Sequence, residues 1–201
     1  MNIPGFAHWT LTVALVASHG AVSAQARPYP PTAQVGGQTL QLNGAGTRYR
    51  AVFAVYDVGL YVGRKVTTAE QVLSQPGPKR MAFVALRDTP ADQLGLMLVR
   101  GMKANAPPQQ AAVVAGYMGR LGQIFSTEQK IHAGESFSFE YVPNKGTVFI
   151  LNGQQKGEIV TDPGFIDAML RIWLGPQPVD ERLKASLLGD TPKARDTSNL
   201  G

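Results

Sequence analysis

Arg50-Ala51-Val52-Phe53-Ala54-Val55-Tyr56-Asp57-Val58-Gly59-Leu60-Tyr61-Val62 is the stretch that decides the fold. Val52, Ala54, Tyr56, Val58, Leu60 and Val62 fall on one face, and Phe53, Val55, Asp57, Gly59 and Tyr61 on the other. Period-two spacing with this many β-branched and aromatic residues predicts a strand. Both faces are largely apolar, so helices are expected to cover this part of a sheet.

Downstream, the period changes several times. Met81 to Arg87 reads as a short strand. Asp88-Thr89-Pro90 opens a helix, with Asp or Thr capping and Pro suited to the first helical position. Leu94, Met97, Leu98, Gly101 and Met102 form its stripe, and Asn105-Ala106-Pro107-Pro108 breaks it. A second helix carries Val113, Val114, Tyr117, Met118, Leu121, Ile124 and Phe125. For both stripes core packing is the plain expectation. Residues 135–142 then alternate, Phe137, Phe139 and Tyr141 against Ser136, Ser138 and Glu140. A turn at Pro143-Asn144-Lys145-Gly146 leads into Thr147–Leu151, and Asn152-Gly153 is a strong hairpin signal before Gln154–Val160. Asp162-Pro163 starts a helix with the stripe Phe165, Ile166, Met169, Leu170 and Trp173, ended by Gly175-Pro176. Val179 to Leu188 is a closing helix. Strands, then helices, then strands, then helices predicts an α+β layout.

Upstream, residues 1–24 lack Asp, Glu, Lys and Arg. The apolar run from Trp9 to Ala17 is too short to span a bilayer but fits the core of a secretory signal. Small residues follow, and cleavage is expected after Ala24 or Ala26. The n-region is atypical in carrying no Lys or Arg. The reading is therefore a signal peptide at 1–24, an extended proline-rich leader at 25–37, one domain at 38–192 and a polar tail at 193–201. The mature chain would be periplasmic or secreted, with no stable membrane span.

Composition narrows the chemistry. The net charge of +5 is scattered, without the concentrated basic stripe of a nucleic-acid binder. The chain of 201 residues has no cysteine, which removes disulfides, thiolate metal sites and Cys nucleophiles. Its three histidines are His8, His19 and His132, two of them inside the signal, so neither a metal cluster nor a Ser-His-Asp triad is expected. No cofactor is implied.

Three stretches together resemble the chalcone isomerase-like superfamily. The first is Asn43-Gly44-Ala45-Gly46-Thr47-Arg48 followed by Val55 to Val62, ending in Gly59-Leu60-Tyr61. The second is Gly157-Glu158-Ile159-Val160-Thr161-Asp162 running into Phe165–Trp173 and Leu174-Gly175. The third is the closing helix, Val179 to Leu188. The resemblance spans about residues 40–190 and is similar to the exported bacterial branch. It implies an open-faced β-sandwich, a large antiparallel sheet packed on a layer of helices with a ligand cleft between.

The resemblance also implies site residues. The arginine of the glycine motif, here Arg48, would reach into the cleft, its guanidinium suited to a carboxylate or phenolate. Two glycines before it would let the backbone turn tightly. Alternatively Arg48 pairs with a local acid such as Asp57. Tyr56 occupies the second pocket position, where the enzyme has Thr; alternatively it is a core aromatic. The isomerase also uses Tyr and Asn on the helix matching 90–105. Here Leu94 or Leu96 falls near the Tyr place, and Asn105 is the candidate for the Asn. Leu183 stands where the enzyme has a Thr near the start of the last helix. If isomerisation is retained, Arg48, Tyr56 and Asn105 would carry it. Exchanging polar groups for leucines instead implies a non-catalytic carrier of a small amphipathic carboxylate, such as a fatty acid, held by Arg48 and Tyr56. On that reading the faces of 90–105 and 113–125 line the apolar tail. The alternatives are an isomerase or lyase of the chalcone isomerase type, and a structural or interaction protein whose cleft is filled by Met97, Met102 and Phe125.

Overall fold

A computed structural model describes residues 29–125 and 128–190. The expected signal peptide, the first residues of the leader and the C-terminal tail lie outside the described residues. Seven strands form one antiparallel sheet: β1 (Thr32–Val35), β2 (Gln38–Arg50), β3 (Phe53–Val62), β4 (Lys79–Ala85), β7 (Ser136–Val142), β8 (Gly146–Leu151) and β9 (Gln154–Val160), neighbours in that order. β5 (Thr89–Pro90) and β6 (Lys130–Ile131) make a separate two-stranded pair. The helices are α1 (Ala69–Ser74), α2 (Ala91–Asn105), α3 (Ala111–Phe125), α4 (Gly164–Leu174) and α5 (Glu181–Leu187). α2 packs on α3 and α4, and α5 packs on β2. This is the α+β sheet-and-helix layout that the sequence predicts.

The core lies between the sheet and the helices. Phe83, Phe139 and Phe149 project from the sheet, and Leu98, Met102, Leu121, Phe125, Ile166 and Trp173 meet them, all buried. Burying each such side chain contributes roughly 1.5–3 kcal/mol before the entropy of ordering it. α4 is central: eight of its eleven residues are buried, the predicted stripe among them. Asp162 accepts a hydrogen bond from the Gly164 amide at 2.8 Å, but the N-cap position is Pro163 and has no side-chain cap. Asn152 and Gly153 both have positive φ, the geometry that the Asn-Gly hairpin signal implies.

Four local expectations are corrected. Among the described residues no helix covers the second face of β3. Tyr61 lies there with Val35, Leu40 and Ala82, and Tyr29 packs beside them. Tyr61 Oη donates to the Pro30 carbonyl at 3.0 Å. A proline-rich segment that cannot form a helix still brings apolar side chains, and its continuation pairs with β2 as β1. So part of the expected leader is an edge strand of the sheet.

Second, the run from Arg50 to Val62 is not one strand. Arg50 pairs with Phe53 across a two-residue turn, Ala51-Val52, that joins β2 to β3. Ala51 has φ of 52°, in the region where glycine usually stands, so the sequence hides the turn. Third, Gly44 and Gly46 make no tight turn. They lie inside β2, directly under α5. Fourth, neither Asp88 nor Thr89 caps α2. Asp88 instead accepts from the Ala133 amide at 3.0 Å and from Lys130 at 3.0 Å.

Candidate functional site

A cavity of about 800 Å³ opens between the sheet and the helices α2 and α4. Its size falls within the roughly 300–1,000 Å³ of small-molecule sites. Tyr56 of β3, Phe83 of β4 and Phe137 of β7 form the sheet wall. Leu94, Met97 and Leu98 form the α2 wall, with Trp173 of α4 between. α3 contributes no lining residue, so the expectation that 113–125 lines the tail is corrected. Val114, Tyr117, Leu121, Ile124 and Phe125 of its expected stripe are buried in the core instead, whereas Val113 and Met118 are exposed. Met102 is buried as well, whereas Met97 borders open space. The filled-cleft alternative needs all three of Met97, Met102 and Phe125 packed away with no cavity, and that arrangement is absent.

The sheet brings Arg48 and Tyr56 together. They are cross-strand partners on β2 and β3, and residues so paired leave the same face. Both line the cavity. A register shift follows Arg48, and such irregularities re-aim side chains.

Each of the two is also tied to the C-terminal helices. Arg48 Nη1 donates to the Asp180 carboxylate at 3.2 Å and to the Tyr49 carbonyl. The expected local partner, Asp57, instead accepts from Thr47 Oγ1 at 2.5 Å. Asp180 accepts from the Arg182 and Leu183 amides as well, capping α5. One carboxylate therefore starts α5 and holds Arg48. Both Arg48 contacts use Nη1; its Nε and Nη2 hydrogens bond to no described residue. That leaves an edge of the guanidinium for an anion.

Tyr56 Oη accepts from Trp173 Nε1 at 2.9 Å, and its ring stands edge-on to Phe83 at 5.5 Å. Burial is the main reason its hydroxyl is pushed up to about 12, with the Trp173 hydrogen bond and Arg48 working against the shift. Desolvation disfavours the phenolate, so at neutral pH the hydroxyl keeps its proton. With its lone pair engaged by Trp173, that proton is free to be donated.

Asn105 is not among the cavity-lining residues. Its Nδ2 donates to the carbonyls of Gly101 and Gln177, and its Oδ1 accepts from the Gln177 amide, all within 2.9 Å. It fastens the end of α2 to the segment after α4. Leu94 lines the cavity, Leu96 is exposed, and Leu183 packs beneath α5 against Gly46. The sequence reading did not single out Arg50, Arg87 and Arg100, which all border the opening. They sit at a strand end, in a loop and on a helix, so no linear motif joins them. Among the described residues no group of His, Cys, Asp or Glu is placed to hold a metal. No helix among them is long and apolar enough to cross a membrane.

A sequence profile described as chalcone isomerase-like matches residues 21–189. Among solved structures, that of a fatty-acid binding protein from Arabidopsis thaliana aligns with a TM-score of 0.57. The likeness covers 80% of this chain and 90% of that one at 14% sequence identity. At this identity it speaks for the fold, an open-faced sheet packed on helices. No curated protein matches the sequence.

Proposed function

This chain belongs to the chalcone isomerase-like family, and we propose that it is a non-catalytic binder of a small apolar acid, of the fatty-acid kind. The observation that carries the reading is the cavity itself, an apolar chamber with Arg48 and Tyr56 side by side on one wall. Arg48 would meet the carboxylate with its unused edge, and Tyr56 would donate to the same head group. Leu94, Met97 and Leu98 would hold the tail. An isomerase must hold a polar, developing charge at several points. Supporting the carrier reading over that one, α2 lines the cavity beside Tyr56 and Trp173 with Leu94, Met97 and Leu98, its polar Gln93 and Arg100 also bordering the space, while Asn105 is spent on backbone contacts.

The test is displacement of a fluorescent long-chain fatty acid from delipidated protein. A hydrogen bond to a charged group is worth roughly 1.5–3 kcal/mol, so Arg48→Ala is expected to weaken binding about 10- to 100-fold. Asp180→Asn should act oppositely. Asn caps helices as well as Asp, but it no longer neutralises Arg48, and affinity should rise about two- to fivefold. No measurable acid binding, or equal affinity in the parent and Arg48→Ala, overturns the reading.

We also propose that the protein is exported to the periplasm or beyond. The apolar run Trp9–Ala17 before small residues supports this. N-terminal sequencing of the secreted or periplasmic fraction should begin at Gln25 or Arg27. An intact Met1 in that fraction would sink the proposal.

A further inference from the structure

The rim of the cavity has a surface of its own. Val52 and Phe53, at the tip and far side of the β2–β3 turn, are 58% and 56% exposed. Met97, across the opening on α2, is 42% exposed. Single exposed apolar residues are ordinary, but Phe53 and Met97 line one opening and Val52 adjoins Phe53 in the turn beside it. Arg50, Arg87 and Arg100 border the same opening and are themselves exposed. Arg87 lies over the Phe53 ring, 4.6 Å from its centroid.

The acids at the rim are already engaged. Asp88 bonds Lys130 at 3.0 Å, and Asp180 bonds Arg48 at 3.2 Å. None of Arg50, Arg87 and Arg100 forms an ion pair with a described residue. The rim is therefore cationic with apolar side chains standing among the charges.

We infer that this rim docks on an anionic lipid bilayer, with Val52, Phe53 and Met97 entering the headgroup boundary and Arg50, Arg87 and Arg100 meeting the lipid phosphates. Charge complementarity selects the occupant: cations interleaved with an aromatic and aliphatic tip suit a surface that is negative outside and apolar beneath. The two-residue turn places the tip at the end of the β2–β3 hairpin. The cavity opens through the same patch, so a docked bilayer would face the opening with its acyl chains. The inference rests in this respect on the acid-binding reading, since exchange of an acyl ligand is what gives the position its use.

Co-sedimentation of delipidated protein with vesicles tests it, using phosphatidylcholine alone and phosphatidylcholine mixed with phosphatidylglycerol. Partition into the anionic vesicles should exceed that into the neutral ones at least about tenfold and fall steeply with salt, because exposed charges are screened. Val52→Ser with Phe53→Ser, and separately Arg87→Ala with Arg100→Ala, should each lower anionic partition about tenfold or more. These positions are exposed, and an unchanged melting temperature shows the fold intact. As a second measurement, Phe53→Trp emission should shift to the blue when anionic vesicles are added.

No sedimentation with anionic vesicles overturns the docking face. So does binding that survives both double variants, which would be general adsorption of a chain of net charge +5. Fatty-acid displacement on the same samples separates the two readings. In the parent protein, acid binding without vesicle binding removes the docking face alone, and vesicle binding without acid binding removes the ligand alone.

Discussion

Gly44→Ala is expected to destabilise the protein by about 3–5 kcal/mol, a loss at the upper end for one added methyl. A β-carbon at position 44 would stand 2.0 Å from the Ser186 carbonyl oxygen and 2.7 Å from that of Leu187. Those oxygens belong to the backbone of α5, so no side-chain rotation relieves the contact. α5 must withdraw from the sheet. Withdrawal breaks the hydrogen bond from Asn43 Nδ2 to the Leu187 carbonyl, 2.7 Å long and buried. It also uncovers Leu183 and Leu187, now 2% and 0% exposed.

Gly46→Ala supplies the contrast. There the added carbon would meet Leu183 Cδ1 at 2.9 Å and Ser186 Cβ at 3.0 Å. Leu183 Cδ1 is the end of a flexible side chain, which can yield, so the cost should be about 1–2 kcal/mol. Urea unfolding of the two variants checks the pair. Equal losses, or a Gly44→Ala loss below about 1.5 kcal/mol, would contradict the close approach of α5. Because Asp180 begins α5 and holds Arg48, Gly44→Ala should also disturb acid binding without touching the cavity.

Phe83→Ala should cost about 4 kcal/mol, within the range for truncating a buried phenylalanine. The ring is 2% exposed and sits where four aromatic side chains converge. It stacks on Phe137 at 4.7 Å and lies 5.2 Å from Trp173, which in turn bonds Tyr56. Aromatic pairs add about 0.5–1.5 kcal/mol each beyond the area they bury. Phe83 also lines the cavity, so its loss joins new space to an existing void. At a permissive temperature the variant should therefore accept branched or bulkier acids that the parent excludes. Denaturant melts followed by Trp173 fluorescence read the first effect, and displacement by branched acids reads the second. A loss under about 2 kcal/mol would mean that this aromatic cluster is not the keystone of the sheet wall.

Much of this protein was legible in its sequence because the signals were local. The 135–160 meander rests on the alternation over 135–142 and one Asn-Gly turn. α4 rests on a stripe at helical spacing. α1 was legible too, since Thr68 and Gln71 form a capping box, but that short signal was passed over in the sequence reading. What failed to show was set by distant partners. Gly44 and Gly46 resemble turn residues in sequence and are strand residues in the fold. Asp180 is 132 positions from Arg48, and no pattern near the glycine motif points to it. The Ala51-Val52 turn lacks the glycine by which such turns are found.

By itself, then, the sequence determined the periods, the order of strands and helices, and the presence of Arg48 and Tyr56 on neighbouring stretches. These follow from backbone geometry, which reads side-chain spacing over a few residues. Only the tertiary structure decided which faces were covered and by what, that Arg48 answers to Asp180 rather than Asp57, and that Asn105 serves the backbone. It also gathered three arginines from separate elements around one opening. Such outcomes depend on how far α5 can approach β2 and where α2 crosses the sheet, distances that are settled when the elements pack and that no local spacing encodes.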